Sequence, residues 1–246
     1  MGKNIVITGG TSGIGKAIVK KILKASTEEN DRILVNYGHN MEAAEKFRME
    51  LNEGDRKKVE FLKADLSDYE HMMSFKNEIV KKYNEIDWLI LNTGIGTYEK
   101  FEDYTFDEWN RVMTTNVTIP AFLVKELKPY FRQKGKILFM GSYAGEATYS
   151  SSIVYSVSKA AVHHLAKCLL KVFDEQEVSV NAIAPGFIET PWQKNRTEES
   201  YERINKKIAL HRFGRDEEVA ELCYAVLCND YVNGSVLEIH GGYDYY

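Results

Sequence analysis

The chain has 246 residues, 44% hydrophobic and 28% charged, with 32 basic against 36 acidic side chains and a formal net charge of −4. That balance leaves no basic footprint for nucleic acid and disfavours an anionic membrane surface, and no apolar run approaches the roughly 18 residues of a membrane span. The length suits a single domain spanning 1–246, and "MGKNIVITGG" enters a strand and a glycine turn with no secretory leader, so the expected location is the cytoplasm.

In chain order, "NIVITG" (4–9) is a short β-branched run and 14–24 reads as a helix. "RILVNY" (32–37) is a second strand, followed by a helix over 41–52. "KVEFLKAD" (58–65) is a third strand with a helix over 69–83, and "IDWLILN" (86–92) is a fourth. The stretch 105–132 is helical in pattern, "GKILFMG" (135–141) is a fifth strand, and a helix runs over 153–173. "VSVNAIAPG" (178–186) is a sixth strand, polar helical segments including 216–228 follow, and "SVLEIHGG" (235–242) is the last strand. This alternation predicts an α/β fold, a doubly wound Rossmann-like parallel sheet of about seven strands with helices on both faces. Only four prolines occur, and no linker or repeat is visible. Cys168, Cys223 and Cys228 each fall on an apolar helical face, which predicts buried thiols in a reducing compartment. No metal site is expected: His163 and His164 are adjacent on a helix and point to different faces.

The first strand ends in "TGGTSGIGKAI" (8–18). Glycines at a strand-to-helix turn let the backbone curve tightly and approach a ligand, and the free N–H groups of the next helix suit a pyrophosphate. The spacing Gly9, Gly13, Gly15 is a longer first turn than G-x-G-x-x-G. "ADLSD" (64–68) ends the third strand; Asp65 can accept from an adenine amino group, while Ser67 or Asp68 can cap the following helix. "LNTG" (91–94) ends the fourth, so three strand ends carry small or polar residues where a dinucleotide would lie.

"IVYSVSKAAVHH" (153–164) places Tyr155 and Lys159 four residues apart on one helix face. A neighbouring cation favours the phenolate over the phenol. A phenol so assisted can exchange a proton with a substrate hydroxyl or carbonyl near neutral pH. A buried ammonium needs partners, and ribose hydroxyls are suitable ones. Ser142, in "FMGSYAG", can hold a carbonyl oxygen beside the tyrosine, and Asn116, in "TTNVT", is a poor mid-helix residue with a plausible polar role.

Together "TGGTSGIG", "ADLSD", "NTG", "NV", Ser142, "YSVSK" and "PGFIET" resemble the short-chain dehydrogenase/reductase family, in its order and approximate spacings along essentially the whole chain. The resemblance implies a nicotinamide-dependent oxidoreductase with Tyr155 as acid/base, Ser142 as positioner of the carbonyl or hydroxyl, Lys159 as pKa depressor and ribose binder, and Asn116 holding a relay water. It implies cofactor contacts at Gly9, Thr11, Ser12, Gly13, Ile14, Gly15, Asn36, Asp65, Leu66, Asn92, Thr93 and Gly94, and at Pro185, Gly186, Ile188 and Thr190 toward the nicotinamide. It also implies a homotetramer or homodimer through helices at 105–130 and 153–173. The ending "HRFGRDEEVAELCYAVLCNDYVNGSVLEIHGG" is similar to β-ketoacyl-acyl carrier protein reductases and related carbonyl reductases, which points to a 3-oxoacyl thioester. The alternatives are an NAD-dependent dehydrogenase of a sugar, polyol or sterol alcohol, and a non-catalytic dinucleotide sensor.

The second strand ends "VNYGHN", with Asn36 and no acid to repel a 2′-phosphate, which favours NADP over NAD. Where ketoacyl reductases carry Ile-Thr-Arg-Asp after the fourth strand this chain has "IGTYEKF", and His240 replaces an acidic or amide residue in the last strand. The substrate pocket is expected between 94–100, 143–154 and 187–205, with Tyr98, Tyr143, Glu146, Tyr149, Phe187 and Trp192 as its walls; Glu146 and Glu189 argue against a small anionic substrate. The tail "YDYY" is expected to pack across a subunit interface.

Overall fold

A computed structural model describes residues 2–28, 30–97, 99–147 and 152–243. The elements in order are β1 (Asn4–Thr8), α1 (Gly13–Ala25), β2 (Arg32–Tyr37), α2 (Met41–Glu50), α3 (Glu53–Lys58), β3 (Val59–Lys63), α4 (Tyr69–Lys82), β4 (Ile86–Leu91), α5 (Phe106–Met113), α6 (Ile119–Leu127), β5 (Phe131–Met140), α7 (Ile153–Cys168), β6 (Ser179–Pro185), β7 (Ile188–Glu189), α8 (Glu198–Lys207), β8 (Gly214–Arg215), α9 (Asp216–Cys228) and β9 (Val236–Ile239).

Seven strands form one sheet in the order β3-β2-β1-β4-β5-β6-β9, every pair parallel. Successive side chains of a strand point to opposite faces. Ile5 and Ile7 therefore pack with α1, α2 and α9, while Val6 packs with α4, α6 and α7. Trp88 and Ile90 join the first layer and Leu89 the second. Burial on both faces is why the strands read as continuous apolar runs. The strand order reverses between β1 and β4, and the crevice at their carboxyl ends is where doubly wound sheets take ligands.

Side chains close most helix starts. Asn40, Asn52 and Asp68 each accept a backbone N–H at 2.9 Å, from Ala43, Asp55 and His71. Thr105 and Glu108 form a reciprocal capping box on α5. Ser12, at the start of α1, makes no such bond. The first N–H groups of α1 are thus left for another acceptor.

Several expectations are revised. The stretch 105–132 is not one helix: α5 passes through a wide π-type turn at Thr114–Thr118 into α6, and the chain is already in β5 at Phe131. The cause lies in Pro120, which has no N–H to give the Asn116 carbonyl and whose ring crowds it. The Ile119 N–H instead reaches back five residues to Thr114 O. The short α3 has no apolar periodicity; its acids in the first turn and its bases in the last complement the helix dipole. The two-residue pair β7–β8 was below the length at which alternation can be read. Cys223 is buried as expected, but Cys168 and Cys228 end their helices and are exposed. Tyr243 is buried against Phe187 and Tyr143 of its own chain rather than offered to another subunit; the rest of the tail, 244–246, lies outside the described residues. Among the described residues no helix is long and apolar enough to cross a membrane.

A tight junction under the crevice is at Gly15, where a Cβ would lie 2.3 Å from the Gly9 carbonyl oxygen and 2.6 Å from Asn92 Nδ2. Asn92 Nδ2 donates to the Thr8 and Gly9 carbonyls, tying the ends of β1 and β4 together. A Cβ on Gly38 would meet nothing within 4 Å. With about 2–4 °C lost per kcal/mol for a chain of this size, Gly15→Ala is expected to lower the melting temperature by about 5 °C or more. Gly38→Ala should leave it within about 2 °C, a contrast read by thermal unfolding monitored by circular dichroism.

Candidate active site

A cavity of about 690 Å³ opens at the carboxyl end of the sheet. Its walls include Gly9, Ser12, Gly13 and Ile14 from the first turn, Asn92, Thr93 and Gly94 after β4, and Ser142, Tyr155 and Lys159. Pro185, Gly186, Ile188 and Thr190 close another side. Most of the residues singled out in the sequence thus share one cavity.

Five of the expected contacts do not line it. Gly15 is packed beneath the turn, and Thr11 lines a separate depression beside Lys16, Lys20 and Lys46. Leu66 belongs to the core. Asp65 accepts the Ser67 N–H and lies 3.4 Å from His39 Nε2, while Asp68 caps α4. Asn36 is a correction: it is fully buried, its Nδ2 donates to Ala64 O at 2.9 Å and its Oδ1 accepts the Gly9 N–H at 3.4 Å. Its side chain stitches β3 to the glycine turn and has no group turned to a ribose.

Asn116 is a second correction. It stands in the π-type turn, buried behind Gly94 rather than on the cavity wall. Its Oδ1 accepts the Ile95 N–H and its Nδ2 donates to Ile95 O, both at 2.8 Å. Nδ2 also donates to Ser158 Oγ at 2.9 Å, and Ser158 Oγ donates to Tyr155 O at 2.7 Å. Every polar atom of the amide is used to lock the segment after β4 onto the first turn of α7. Widened helical turns of this kind recur at functional sites, and here the widening delivers Asn116 to that junction.

Lys159 is 4% exposed, and its Nζ donates to Met140 O at 2.7 Å, where β5 ends. Burial pulls the ammonium down to about 8. Nζ lies 5.5 Å from the centre of the Tyr155 ring and 3.2 Å from where a Gly94 Cβ would be. Tyr155 is half-buried, with Trp192 packed at 5.8 Å between ring centres.

Ser142 is buried; its Oγ accepts the Ala144 N–H at 3.2 Å, which leaves its hydroxyl proton for a further partner. Its own N–H donates to His163 Nε2 at 3.3 Å, and His163 Nδ1 lies 2.7 Å from Glu146 Oε1. Because a backbone amide can only donate, Nε2 accepts and Nδ1 carries the proton to Glu146. Burial pulls His163 below its ordinary value, against the pull of Glu146, with Lys159 and Lys167 adding to the depression. Glu146 is therefore turned to His163 and is not a wall of the cavity, contrary to expectation. In the sequence His163 was weighed only as a metal ligand, although its position four residues after Lys159 on the same face was a usable signal for this role. Of the expected aromatics, Phe187 and Trp192 line the cavity, Tyr143 stacks on His240 at 4.0 Å, and Tyr98 and Tyr149 lie outside the described residues.

The walls fit a dinucleotide. Gly9 and Gly13 hold φ of +62° and +47°, a left-handed backbone that folds the turn around a ligand. The uncapped end of α1 opens into that turn. Thr93 Oγ1 is buried with no hydrogen-bond partner among the described residues, and Lys159 keeps two N–H donors beyond the one given to Met140.

Residues 3–200 match the family model described as short chain dehydrogenase. The chain is 31% identical to the 3-oxoacyl-acyl-carrier-protein reductase FabG of Aquifex aeolicus, over 98% of this chain and 97% of that protein. It is 30% identical to the acetoacetyl-CoA reductase of a Synechocystis species, over 98% and 96% respectively. The Pseudomonas aeruginosa RhlG/NADP active-site complex superposes with a TM-score of 0.89 at 26% identity, covering 98% of this chain and 96% of that one. With the family's sheet and its cavity both in place, the chain belongs to the short-chain dehydrogenase/reductase family and is a nicotinamide-dependent oxidoreductase of it.

Proposed function

We propose that the protein reduces a ketone to a secondary alcohol at the expense of NADPH, with 3-oxoacyl thioesters among the carbonyl compounds it accepts. The observation that carries this reading is the convergence of Tyr155, Ser142 and buried Lys159 on one cavity. The bound nicotinamide supplies the hydride. Ser142 Oγ–H donates to the carbonyl oxygen, and the Tyr155 hydroxyl gives that oxygen its proton. The Lys159 ammonium favours the phenolate left behind, and its two remaining N–H groups hold ribose hydroxyls. The Asn116 side chain braces these groups through Ile95 and Ser158. NADP is supported by the absence of an acid at the end of β2 and by the NADP in the RhlG complex. The names of the two reductase relatives support the thioester. Assembly as a homotetramer or homodimer belongs to the same reading, supported by exposed Phe106, Phe122, Ile153 and Val157 on α5–α7.

Tyr155→Phe is expected to lower kcat by about 100-fold or more while NADPH still binds. Turnover of any accepted ketone by this variant at the wild-type rate would refute the mechanism.

Lys159 gives a test that couples stability to activity. A depression to about 8 corresponds to roughly 3 kcal/mol of destabilisation at neutral pH. The unfolded chain holds this proton more tightly, so the deficit is complete below pH 8 and fades as pH climbs toward the ordinary lysine value. Lys159→Met should raise the melting temperature at pH 7 by about 5 °C, after allowance for the Met140 carbonyl it orphans, and should abolish turnover. A lower melting temperature would contradict this account.

The third test addresses Ser142. Protonated His163 would meet the Ser142 N–H with a second N–H, so kcat/KM should fall on the acid side of about pH 6.5. Folded His163 resists protonation more than the unfolded chain, so stability falls with pH in the same range. His163→Gln restores an acceptor that does not titrate and should keep most of the turnover while losing the acid limb. His163→Leu leaves the amide without a partner and should lose about tenfold in kcat. An acid limb unchanged in His163→Gln would rule out this role.

A further inference from the structure

The cavity wall beyond Tyr155 carries a charge that carbonyl reduction alone does not require. Among the described residues that line the cavity there is no Asp or Glu, whereas Lys159, Arg196, Arg203 and Lys207 all do so. In a chain with 36 acids against 32 bases this sorting runs against composition. The two acids expected to make the pocket negative are engaged elsewhere. Glu146 is bonded to His163. Glu189 is exposed in β7 and stands in the field of Arg212. Glu198, Glu199 and Glu202 share α8 with Arg203 and Lys207 but are not part of the wall.

The cations are placed by local structure. Arg203 and Lys207 are four residues apart on one face of α8, whose buried Ile204 anchors it. Arg196 Nε donates to Oε1 of buried Gln193 and Nη1 donates to Ser200 Oγ, both at 2.9 Å. Its guanidinium lies 5.3 Å from the centre of the Phe187 ring. These bonds hold the fork still and leave Nη2 for another acceptor. Among the described residues none of the three has a carboxylate within ion-pair distance. Gln193 follows Trp192, which packs on Tyr155, so the wall is continuous with the reacting group.

We propose that Arg196, Arg203 and Lys207 bind an anionic group at the distal end of the carbonyl substrate, which makes the natural substrate a keto compound bearing a carboxylate or a phosphate. The assignment rests on the reading of this cavity as a carbonyl-reduction site.

The experiment uses the full chain with NADPH and three methyl ketones of matched length: one ending in a carboxylate, its ethyl ester, and one ending in a phosphate monoester. The anionic ketones should show kcat/KM at least about tenfold above the ester, residing in KM, and the better of the two anions identifies the group. In the Arg203→Met/Lys207→Met variant the preference should fall to about parity, with the NADPH Kd within about twofold of wild type. Equal kcat/KM for ester and anions in the wild type would overturn the proposal. So would a loss of NADPH affinity in the variant as large as the loss of anion preference, because the cations would then serve the cofactor. A second readout does not depend on turnover: calorimetric binding of the same compounds to the Tyr155→Phe protein with NADPH bound. Tighter binding of the anions supports the wall even if no ketone is reduced, a result that would instead sink the reduction reading. Equal binding overturns the wall even if reduction proceeds.

Discussion

A nearly buried lysine ammonium held by a backbone carbonyl is the constraint on which this site depends. Lys159 donates to Met140 O at 2.7 Å, and that carbonyl is available because β5 ends at Met140. The Gly141 N–H is taken by Ile183 O of the neighbouring strand, which holds the end of β5 against β6. The ammonium is thereby set at the carboxyl edge of the sheet. Gly94 must stay small beside it, and the segment after β4 must follow its line. Asn116 enforces that line through Ile95 and passes the same restraint to Tyr155 through Ser158. The tyrosine is placed by a chain of bonds whose purpose is to house its neighbour.

Three apolar clusters of unequal size support the cavity. The glycine turn, the end of β4 and the Tyr155–Lys159 turn stand on the large layers either side of the sheet. The wall carried by α8 stands on a small cluster of Ile204, Ile208, Phe213 and Tyr243. Local opening free energy follows the apolar contacts a segment makes. On the proposed reading, cofactor handling and proton transfer therefore rest on the more stable part of the molecule, and substrate choice on the less stable part. Changes in α8 can alter what is accepted without disturbing the chemistry, which is how one fold hosts many substrates.

The sheet was legible in the sequence because parallel strands buried on both faces must be apolar throughout. The cavity was legible because its parts recur at strand ends, where Gly9, Gly94 and Ser142 each interrupt an apolar run. What could not be read has a common cause. The break at Asn116 follows from a clash between Pro120 and a carbonyl four residues earlier, which adds one residue to a turn and leaves the apolar pattern intact. The short α3 is held by caps and dipole alone, which periodicity does not register. Asn36 was legible as a strand-end residue but not as one whose amide is consumed between β1 and β3. The exposure of Cys168 and Cys228 turned on where their helices stop, and boundaries are the least determined feature of a pattern.

The sign of the pocket shows the same limit in its sharpest form. In the sequence, Glu146 and Glu189 stood close to the site and argued against a small anionic substrate. The sign of a cavity wall depends on which side chains face it, and the Glu146 carboxylate is turned to the imidazole at 2.7 Å rather than to the cavity. Glu146 is directed to His163 because His163 must present a bare nitrogen to the Ser142 amide, which requires the proton on the other nitrogen and an acceptor for it there. The requirement that positions Ser142 thus removes the acid from the cavity wall. With that acid engaged, Arg196, Arg203 and Lys207 set the potential at the mouth, and one buried histidine links the geometry of the reaction to the charge of what can enter.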